Sequence, residues 1–217
     1  MRKPFILSSF SILDSPIKSG NDRTSDLKSI FLLKYQMVIC VTGAHSGVGK
    51  TTLCSILLRE LKGFGAIKFT KTELYTAVVD DINILNQKGK DTAIFLESGA
   101  ERVIWVQSPY DALTEPLQVA LSRMADLKGI IVEGNSPVDF LNPHLVIFII
   151  GAEGEIKPSA MKVIEKADVI VINSREKTAP PALSKNKAVS FCIDLEKRTG
   201  EIDGFLTIVK KRINREH

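Results

Sequence analysis

The stretch "GAHSGVGKTTL", residues 43–53, follows the apolar run 38–41 and precedes a helical pattern. Residues 44–51 read A-x-x-x-x-G-K-T, the phosphate-loop pattern with alanine in place of its first glycine. A loop that wraps a triphosphate must turn its backbone N–H groups towards the oxygens, and its glycines give it that freedom. The helix that follows directs the positive end of its dipole at the same phosphates. This stretch therefore predicts a nucleotide-binding loop between a strand and a helix.

The residue types in the loop predict their roles. We expect Lys50 to reach the β- and γ-phosphates as a catalytic charge and the Thr51 hydroxyl to coordinate Mg²⁺. His45 is interpreted as a loop residue near the phosphates rather than as a catalytic base. Further contacts to the nucleotide are expected from the neighbouring loop positions, namely His45, Ser46, Gly47, Val48, Gly49 and Thr52.

From Met37 onward, apolar strand patterns alternate with helical patterns. Runs suited to buried parallel strands cover residues 37–42, 65–69, 102–107, 129–133, 145–150, 168–173 and 188–193. Helical patterns cover residues 50–62, 91–98, 114–125, 158–167 and 203–215, with Asp91 and Ser159 as predicted N-caps and Pro116 in a first turn. The alternation predicts an α/β P-loop NTPase fold, with a mostly parallel sheet of about seven strands and helices on both faces.

Residues 1–36 differ in composition from the rest of the chain. They hold seven serines, two prolines and six Lys or Arg against three Asp or Glu. They lack the clean apolar segment of a secretory signal, and Met37 stands directly before the first strand. We expect a disordered or dispensable extension at 1–36 and a single nucleotide-binding domain at 37–217.

Charge and cysteine content narrow the function classes. Of the net charge of +4, residues 1–36 carry +3 (six basic minus three acidic), so no nucleic-acid-binding patch is expected on the domain. No apolar run approaches the ~20 residues of a membrane helix, so no membrane association is expected. The three cysteines are widely spaced without a C-x-x-C pair, which favours reduced thiols and a cytoplasmic location.

Residues 70–90 follow the second strand and match neither a strand nor a helix. A loop of this length in a compact domain is usually functional or mobile. We expect residues 70–92 to form a switch or substrate-facing segment that bound nucleotide and metal put in order. Its acidic residues Asp80, Asp81 and Asp91 would then gather around the cation.

Two further sites are predicted at strand ends. "VEG", residues 132–134, ends an apolar strand with an acid, and Glu133 can hold Mg²⁺ directly or through water. A surface glutamate at a strand end is the alternative. A guanine site usually shows N-K-x-D, and Asn173 ends a strand with Glu176 at the spacing of the aspartate. Asn173 is therefore a candidate contact to the base, although an asparagine that caps a strand end remains equally open.

With "GAIKFTK" (65–71), "GKDTAIFLESGAERVIWV" (89–106) and "ADVIVIN" (167–173), the chain resembles the molybdopterin-guanine dinucleotide biosynthesis adapter protein B family over residues 37–175. The resemblance implies a GTP-binding adapter that assists the attachment of a nucleotide to the molybdenum cofactor. It also implies slow Mg²⁺-dependent hydrolysis and a protein partner in cofactor biosynthesis, and a homodimer stays open. On this resemblance, Lys50 and Thr51 hold phosphate and metal, Glu133 is the acidic metal partner, and Asp91 lies near the metal.

The same residues also resemble dethiobiotin synthetase and cobyrinic acid amide synthase relatives, which use ATP to phosphorylate a small molecule. In those enzymes a lysine at the end of the second strand helps to hold substrate and transferred phosphate, and Lys68 occupies that position. Phosphoryl transfer rests on positioning and charge neutralisation, so Lys50, Lys68 and Mg²⁺ would suffice as catalytic apparatus. An ATP-dependent small-molecule kinase or ligase is therefore the alternative function, and a solvated strand-end lysine is the alternative for Lys68.

Overall fold

A computed structural model describes residues 36–175 and 188–214 of the chain. The predicted extension lies outside these residues except for Gln36, its last residue. Gln36 is buried, and its side-chain amide donates a hydrogen bond to the carbonyl of Leu127 at 3.2 Å. Gln36 therefore packs against the domain.

The described residues form a nine-stranded, mostly parallel sheet with the strand order β3-β4-β2-β5-β1-β6-β7-β8-β9. All seven predicted strands are present. The strands are β1 (Met37–Gly43), β2 (Phe64–Lys71), β3 (Ala77–Val79), β4 (Val103–Ser108), β5 (Gly129–Glu133), β6 (Leu145–Gly151), β7 (Val169–Asn173), β8 (Val189–Asp194) and β9 (Thr199–Gly200). Only β3 and β9, at the two edges, pair antiparallel with their neighbours.

Helices pack on both faces of this sheet, as the sequence predicts. They are α1 (Lys50–Glu60), α2 (Ile82–Leu85), α3 (Asp91–Glu97), α4 (Thr114–Ser122), α5 (Pro158–Ile164) and α6 (Ile202–Ile213), with a 3-10 turn at Ser136–Asp139. One buried cluster joins Leu53 of α1, Phe95 of α3 and Phe205 of α6 to one face. The other joins Leu117 of α4 and Val163 of α5 to the opposite face. Successive strand residues supply the two clusters alternately, which is why these strands read as continuous apolar runs.

The segment 70–90 differs from the predicted long loop. It contains the last residues of β2, the short edge strand β3 and the single turn of α2. Asp80 forms an ion pair with Arg123, with 2.7 Å between nitrogen and oxygen. Asp81 caps α2, because its carboxylate accepts a hydrogen bond from the backbone N–H of Asn83 at 2.9 Å. Both acids therefore have structural partners, and only Asp91 lines the cleft described below.

The predicted helix caps are each displaced. Lys90, not Asp91, is the N-cap of α3, and Lys157, not Ser159, is the N-cap of α5. Asp91 instead occupies the first turn, where its charge complements the helix dipole. Pro116 lies in the first turn of α4, as predicted. No described helix has the length and apolar character needed to cross a membrane.

Candidate functional site

The predicted phosphate loop lies at the carboxyl edge of the sheet, where β1 ends and α1 begins. Gly47 and Gly49 have φ values of 78° and 110°, which residues with side chains rarely adopt. At Gly43 the constraint is space, since a Cβ would lie 2.6 Å from Cγ1 of Val48. The glycines thus allow a compact turn whose backbone N–H groups precede the N-terminus of α1.

Hydrogen bonds from neighbouring strand ends hold this loop in place. The side chain of Asn135 accepts a hydrogen bond from the N–H of Gly43 and donates one to its carbonyl, each at 2.9 Å. The N–H of Lys157 donates to the carbonyl of Ala44 at 3.1 Å. Asn135 has no predicted role, because its only signal in the sequence is its position directly after the V-E-G stretch.

Lys50 begins α1 and lies half-buried inside the loop. Its ammonium donates a hydrogen bond to the carbonyl of His45 at 2.9 Å, so the charge is directed into the curve of the loop. Burial lowers the pKa of Lys50 below its ordinary value, although the nearby charge of Glu133 acts in the opposite direction. Burial without a carboxylate in hydrogen-bond contact leaves an ammonium that an anion in the loop would stabilise.

Glu133 joins three elements at the floor of the site. Its side chain is 2% exposed, and its Oε2 accepts a hydrogen bond from the hydroxyl of Thr51 at 3.1 Å. Its Oε1 accepts one from the ammonium of Lys68 at 2.7 Å. Lys68 and Glu133 are cross-strand partners in the parallel pair β2–β5, so their side chains leave the same face of the sheet. A buried carboxylate requires such a positive partner.

Lys68 also contacts Asp91, with 2.5 Å between Nζ and Oδ2. Burial on its own would lower the pKa of Lys68, but the charge of Glu133 and the hydrogen bonds to Asp91 and Glu133 raise it above the ordinary value. Lys68 therefore carries its charge throughout the physiological pH range. Asp91, at 40% side-chain exposure, is the more accessible of its two acidic partners.

These residues line one cleft of about 850 Å³. The structure brings together there the predicted residues His45, Ser46, Gly47, Gly49, Lys50, Thr51, Thr52, Lys68, Asp91 and Glu133. Val48 is buried and does not line the cleft. Lys71 and Lys157, to which the sequence analysis assigned no role, lie along the same cleft.

Asn173 lies on the other side of the loop from Glu133. Its amide nitrogen donates a hydrogen bond to the carbonyl of Val48, and its amide oxygen accepts one from the N–H of Leu195, both at 3.1 Å. The side chain of Leu195 reaches the loop as well, since a Cβ on Gly49 would lie 2.8 Å from it. Asn173 thus ties the phosphate loop to the residues after β8. Its contact with a base remains a prediction, and Glu176 lies outside the described residues.

The donor atoms beside the loop fit a magnesium ion. Mg²⁺ takes hydroxyl and carboxylate oxygens, usually from one or two side chains together with phosphate and water. Thr51 and Glu133 supply a hydroxyl and a carboxylate within hydrogen-bond distance of one another. The described residues contain no group of three or more His, Cys, Asp or Glu suited to a metal, so the site would draw further ligands from the phosphates.

Comparison with known proteins places the fold. No protein-family model matches the chain, and no curated protein matches its sequence. Among solved structures, the chain is similar to HypB from Helicobacter pylori in complex with nickel, with a TM-score of 0.52 and 14% identity, over 88% of this chain and 96% of that one. Weaker likenesses are to LpxK from Aquifex aeolicus in complex with ATP (TM-score 0.47, 16% identity, 77% of this chain and 59% of that one) and to a LAO/AO transport system kinase (0.46, 20%, 88% and 68%).

The sheet order, the glycine-rich loop between β1 and α1, and the likeness to HypB agree on one fold class. The chain has the α/β P-loop NTPase fold, as the sequence predicts. Identities this low relate folds and not activities. The resemblance to the molybdenum-cofactor adapter family rests on the sequence motifs alone, because no family model matches.

Proposed function

We propose that this protein binds a nucleoside triphosphate with Mg²⁺ in the loop 43–51 and cleaves its γ-phosphate bond. One observation carries the proposal: Lys50, Thr51, Lys68 and Glu133 come from three separate elements and meet beside a phosphate loop. Phosphoryl transfer depends on fixed positive charge around the transferred group, and Lys50 and Lys68 bring two such charges to the cleft.

Each residue of the site has a proposed role that follows from its position. The loop N–H groups and Lys50 hold the phosphates, while Thr51 and Glu133 would hold Mg²⁺, which supplies charge neutralisation at the phosphate oxygens. Lys68 already bonds to Glu133, so it acts as the positive partner of that carboxylate when no metal is bound. With Mg²⁺ held at Glu133, the ammonium of Lys68 would be free to turn from that carboxylate to the terminal phosphate.

The finer proposal is a GTP-binding adapter with slow hydrolysis and a protein partner in molybdenum cofactor guanylylation. It rests on the I-K, G-K-D-T and V-E-G stretches and their order along the chain. Lys68, Asp91 and Glu133 from those three stretches form one ion-paired group in the structure, which gives the motifs a shared physical role. GTP is preferred over ATP on the resemblance only.

The alternative is an ATP-dependent small-molecule kinase or ligase related to dethiobiotin synthetase. It is favoured by Lys68, a second lysine in the cleft beyond the one in the loop. The cleft of about 850 Å³ lies towards the upper end of the roughly 300–1,000 Å³ of typical ligand pockets, so it has room for more than phosphates.

Nucleotide titration with the full chain and Mg²⁺ separates these roles. Micromolar GTP binding with hydrolysis far below a typical turnover of ~10 s⁻¹ supports the adapter. ATP turnover that starts only when a small carboxylate or amine is added supports the kinase or ligase. Absence of binding to both nucleotides, with and without Mg²⁺, would contradict the proposal as a whole.

A further inference from the structure

A second, smaller pocket lies behind the Lys68–Asp91 ion pair. It has a volume of about 210 Å³, and Lys68 and Asp91 line both this side pocket and the nucleotide cleft. The walls of the side pocket also include Thr70, Lys90 and Trp105. This volume is below the roughly 300–1,000 Å³ of typical pockets for drug-sized ligands, so the side pocket is suited to a small molecule.

The register of the sheet explains why the two pockets share a wall. Lys68 of β2 is the cross-strand partner of Glu133 on one side and of Trp105 on the other. The three side chains therefore form a row on one face of the sheet, from the buried acid through the lysine to the indole. A change in the position of Lys68 must reach both pockets.

The indole is fixed in place and offers a flat apolar wall. Its N–H donates a hydrogen bond to the hydroxyl of Thr70 at 3.0 Å, and the ammonium of Lys90 lies 4.9 Å from the ring centroid. Such a cation over an indole face is held by the ring quadrupole, so the charge stays at the pocket wall.

Lys90 is the charge in this pocket that lacks an acidic partner. Lys68 is neutralised by Asp91 and Glu133. Lys90 donates to the carbonyl of Ile84 at 3.2 Å, and no carboxylate among the described residues lies within ion-pair distance of it. A half-buried ammonium with only a carbonyl and a ring as partners favours an anion beside it.

We infer that the side pocket binds a small anion carrying a carboxylate or phosphate group, with the anionic end at Lys90 and the remainder against Trp105. The anion and the nucleotide change one another's affinity through the shared Lys68–Asp91 pair, and this reciprocity is a thermodynamic requirement. Binding of the anion does not depend on the proposed function, whereas the coupling rests on it.

Trp105 is the only tryptophan of the chain and lines this pocket, so its fluorescence reports on the surroundings of the pocket. The full-length protein is titrated with inorganic phosphate and, separately, with succinate, and the midpoint of thermal unfolding is recorded in parallel. We expect a saturable change in emission with at least one probe. Phosphate alone would indicate a phosphate ligand, and succinate alone a carboxylate ligand.

The matched pair of variants is Lys90→Met and Lys88→Met. Lys88 is an exposed lysine two residues away that does not line the pocket. Lys90→Met should weaken anion binding about tenfold, as for the loss of one charge-assisted hydrogen bond, and Lys88→Met should leave it unchanged. Lys50→Ala should keep the anion response, which separates the side pocket from phosphate bound in the loop.

Repeating the titration with Mg²⁺ and GTP, and again with ATP, tests the coupling. An anion affinity that changes with bound nucleotide supports it, and an unchanged affinity overturns it. Emission and unfolding midpoint that stay flat with both probes, or an equal response in the Lys90 and Lys88 variants, overturn the site itself. A saturable anion response without any nucleotide binding would overturn the proposed function while supporting the pocket.

Discussion

The two sides of the phosphate loop differ in what their polar side chains are bonded to. On the side of β5 and β2, Thr51 and Lys68 each donate a hydrogen bond to the carboxylate of Glu133 at the floor of the cleft. On the side of β7 and β8, both amide atoms of Asn173 are used by the backbone of Val48 and Leu195. The first side is a group of charged and polar side chains that a ligand can rearrange. The second side holds the loop in position through the hydrogen bonds of Asn173.

The difference indicates that the two sides make separable contributions. The charged side should determine whether phosphate and metal are bound and cleaved, because its groups carry full charges in a partly buried place. The side of Asn173 should determine how well the loop is preorganised and where the base lies. Substitutions on the two sides should therefore affect turnover and affinity in different proportions.

The largest effect is expected from Lys50→Ala, because the loop then lacks its only charged side chain. Two charge-assisted hydrogen bonds of about 1.5–3 kcal/mol each predict a loss of nucleotide affinity of about a hundredfold or more. The fold should persist, since the one hydrogen bond of the Lys50 ammonium among the described residues is to the carbonyl of His45. Circular dichroism and a nucleotide titration on one sample measure both properties.

Lys211→Ala, at an exposed lysine of α6, is the control for this change. Nucleotide affinity equal to that of the unaltered protein in Lys50→Ala would remove the phosphate-loop assignment, on which the other predictions for nucleotide binding and turnover depend.

Glu133→Gln should separate turnover from binding on the charged side. Glutamine keeps the shape of the side chain but removes the charge that would hold Mg²⁺ and that now neutralises Lys68. Mg²⁺-dependent turnover should fall about a hundredfold, as for the loss of one charge-stabilising group, while nucleotide binds nearly as before. Steady-state hydrolysis and a binding titration over a range of Mg²⁺ concentrations measure the two effects.

Glu165→Gln, at an exposed position after α5, serves as the comparison for charge alone. Full turnover in Glu133→Gln would mean that residues other than Glu133 hold the metal. An equal loss of binding and turnover would mean that Glu133 acts mainly by holding Lys68 and the loop.

This contrast also explains which parts of the site can be predicted from the sequence. Lys50, Thr51 and the loop glycines are predictable because the loop is contiguous and its chemistry requires those residue types. Glu133 is predictable from its place after an apolar strand. The ion pair between Lys68 and Asp91 is not predictable, because it depends on the register of β2 with β5 and on the start of α3. The bond from Asn173 to Leu195 joins residues 22 apart and has no local pattern.

The fold also contains elements that the sequence does not predict. Seven strands and the main helices follow from apolar patterns, but β3 and β9 have three and two residues, too few for a period to appear. Both lie at sheet edges, where pairing with one neighbour decides whether a strand forms. The N-caps Lys90 and Lys157 carry no capping side-chain hydrogen bond, so the preferred residue types could not reveal them.

Asn173→Ala should have a smaller effect, and mainly on affinity. The change removes two neutral hydrogen bonds of about 0.5–1.5 kcal/mol each, one to the loop at Val48 and one from Leu195, which predicts nucleotide binding weaker by roughly tenfold. Turnover at saturating nucleotide should stay close to that of the unaltered protein, because Lys50, Lys68 and Glu133 keep their contacts. Kinetics with GTP and ATP measure both constants.

Asn214→Ala, at an exposed asparagine beyond α6, is the control. A preference between GTP and ATP that changes in Asn173→Ala would indicate that Asn173 contacts the base in addition to its hydrogen bonds with Val48 and Leu195. A turnover loss as large as that of Glu133→Gln would contradict the separation of the two sides.

The smallest effect concerns the segment 70–92, which our sequence analysis treats as a switch. The structure narrows the region that can respond. The strand β3 is paired with β4, and Asp80 is paired with Arg123 at 2.7 Å, so neither needs a cation to order it. Asp91 depends on Lys68, which in turn is shared with Glu133. Nucleotide and Mg²⁺ that draw Lys68 away from Glu133 must therefore alter the first turn of α3 before anything else in the segment.

Hydrogen exchange with and without GTP and Mg²⁺ resolves this directly. We expect a modest change in exchange at the amides of the first turn of α3, which begins at Asp91, and none in β3. The expectation follows from how few contacts change, since one ion pair is released while the sheet pairing stays intact. Ordering of the whole segment by nucleotide would restore the broader switch, in which Asp80 leaves Arg123 for the metal. Equal exchange in both states would mean that Lys68 stays on Asp91 throughout, and the charged side would then be as fixed as the side of Asn173.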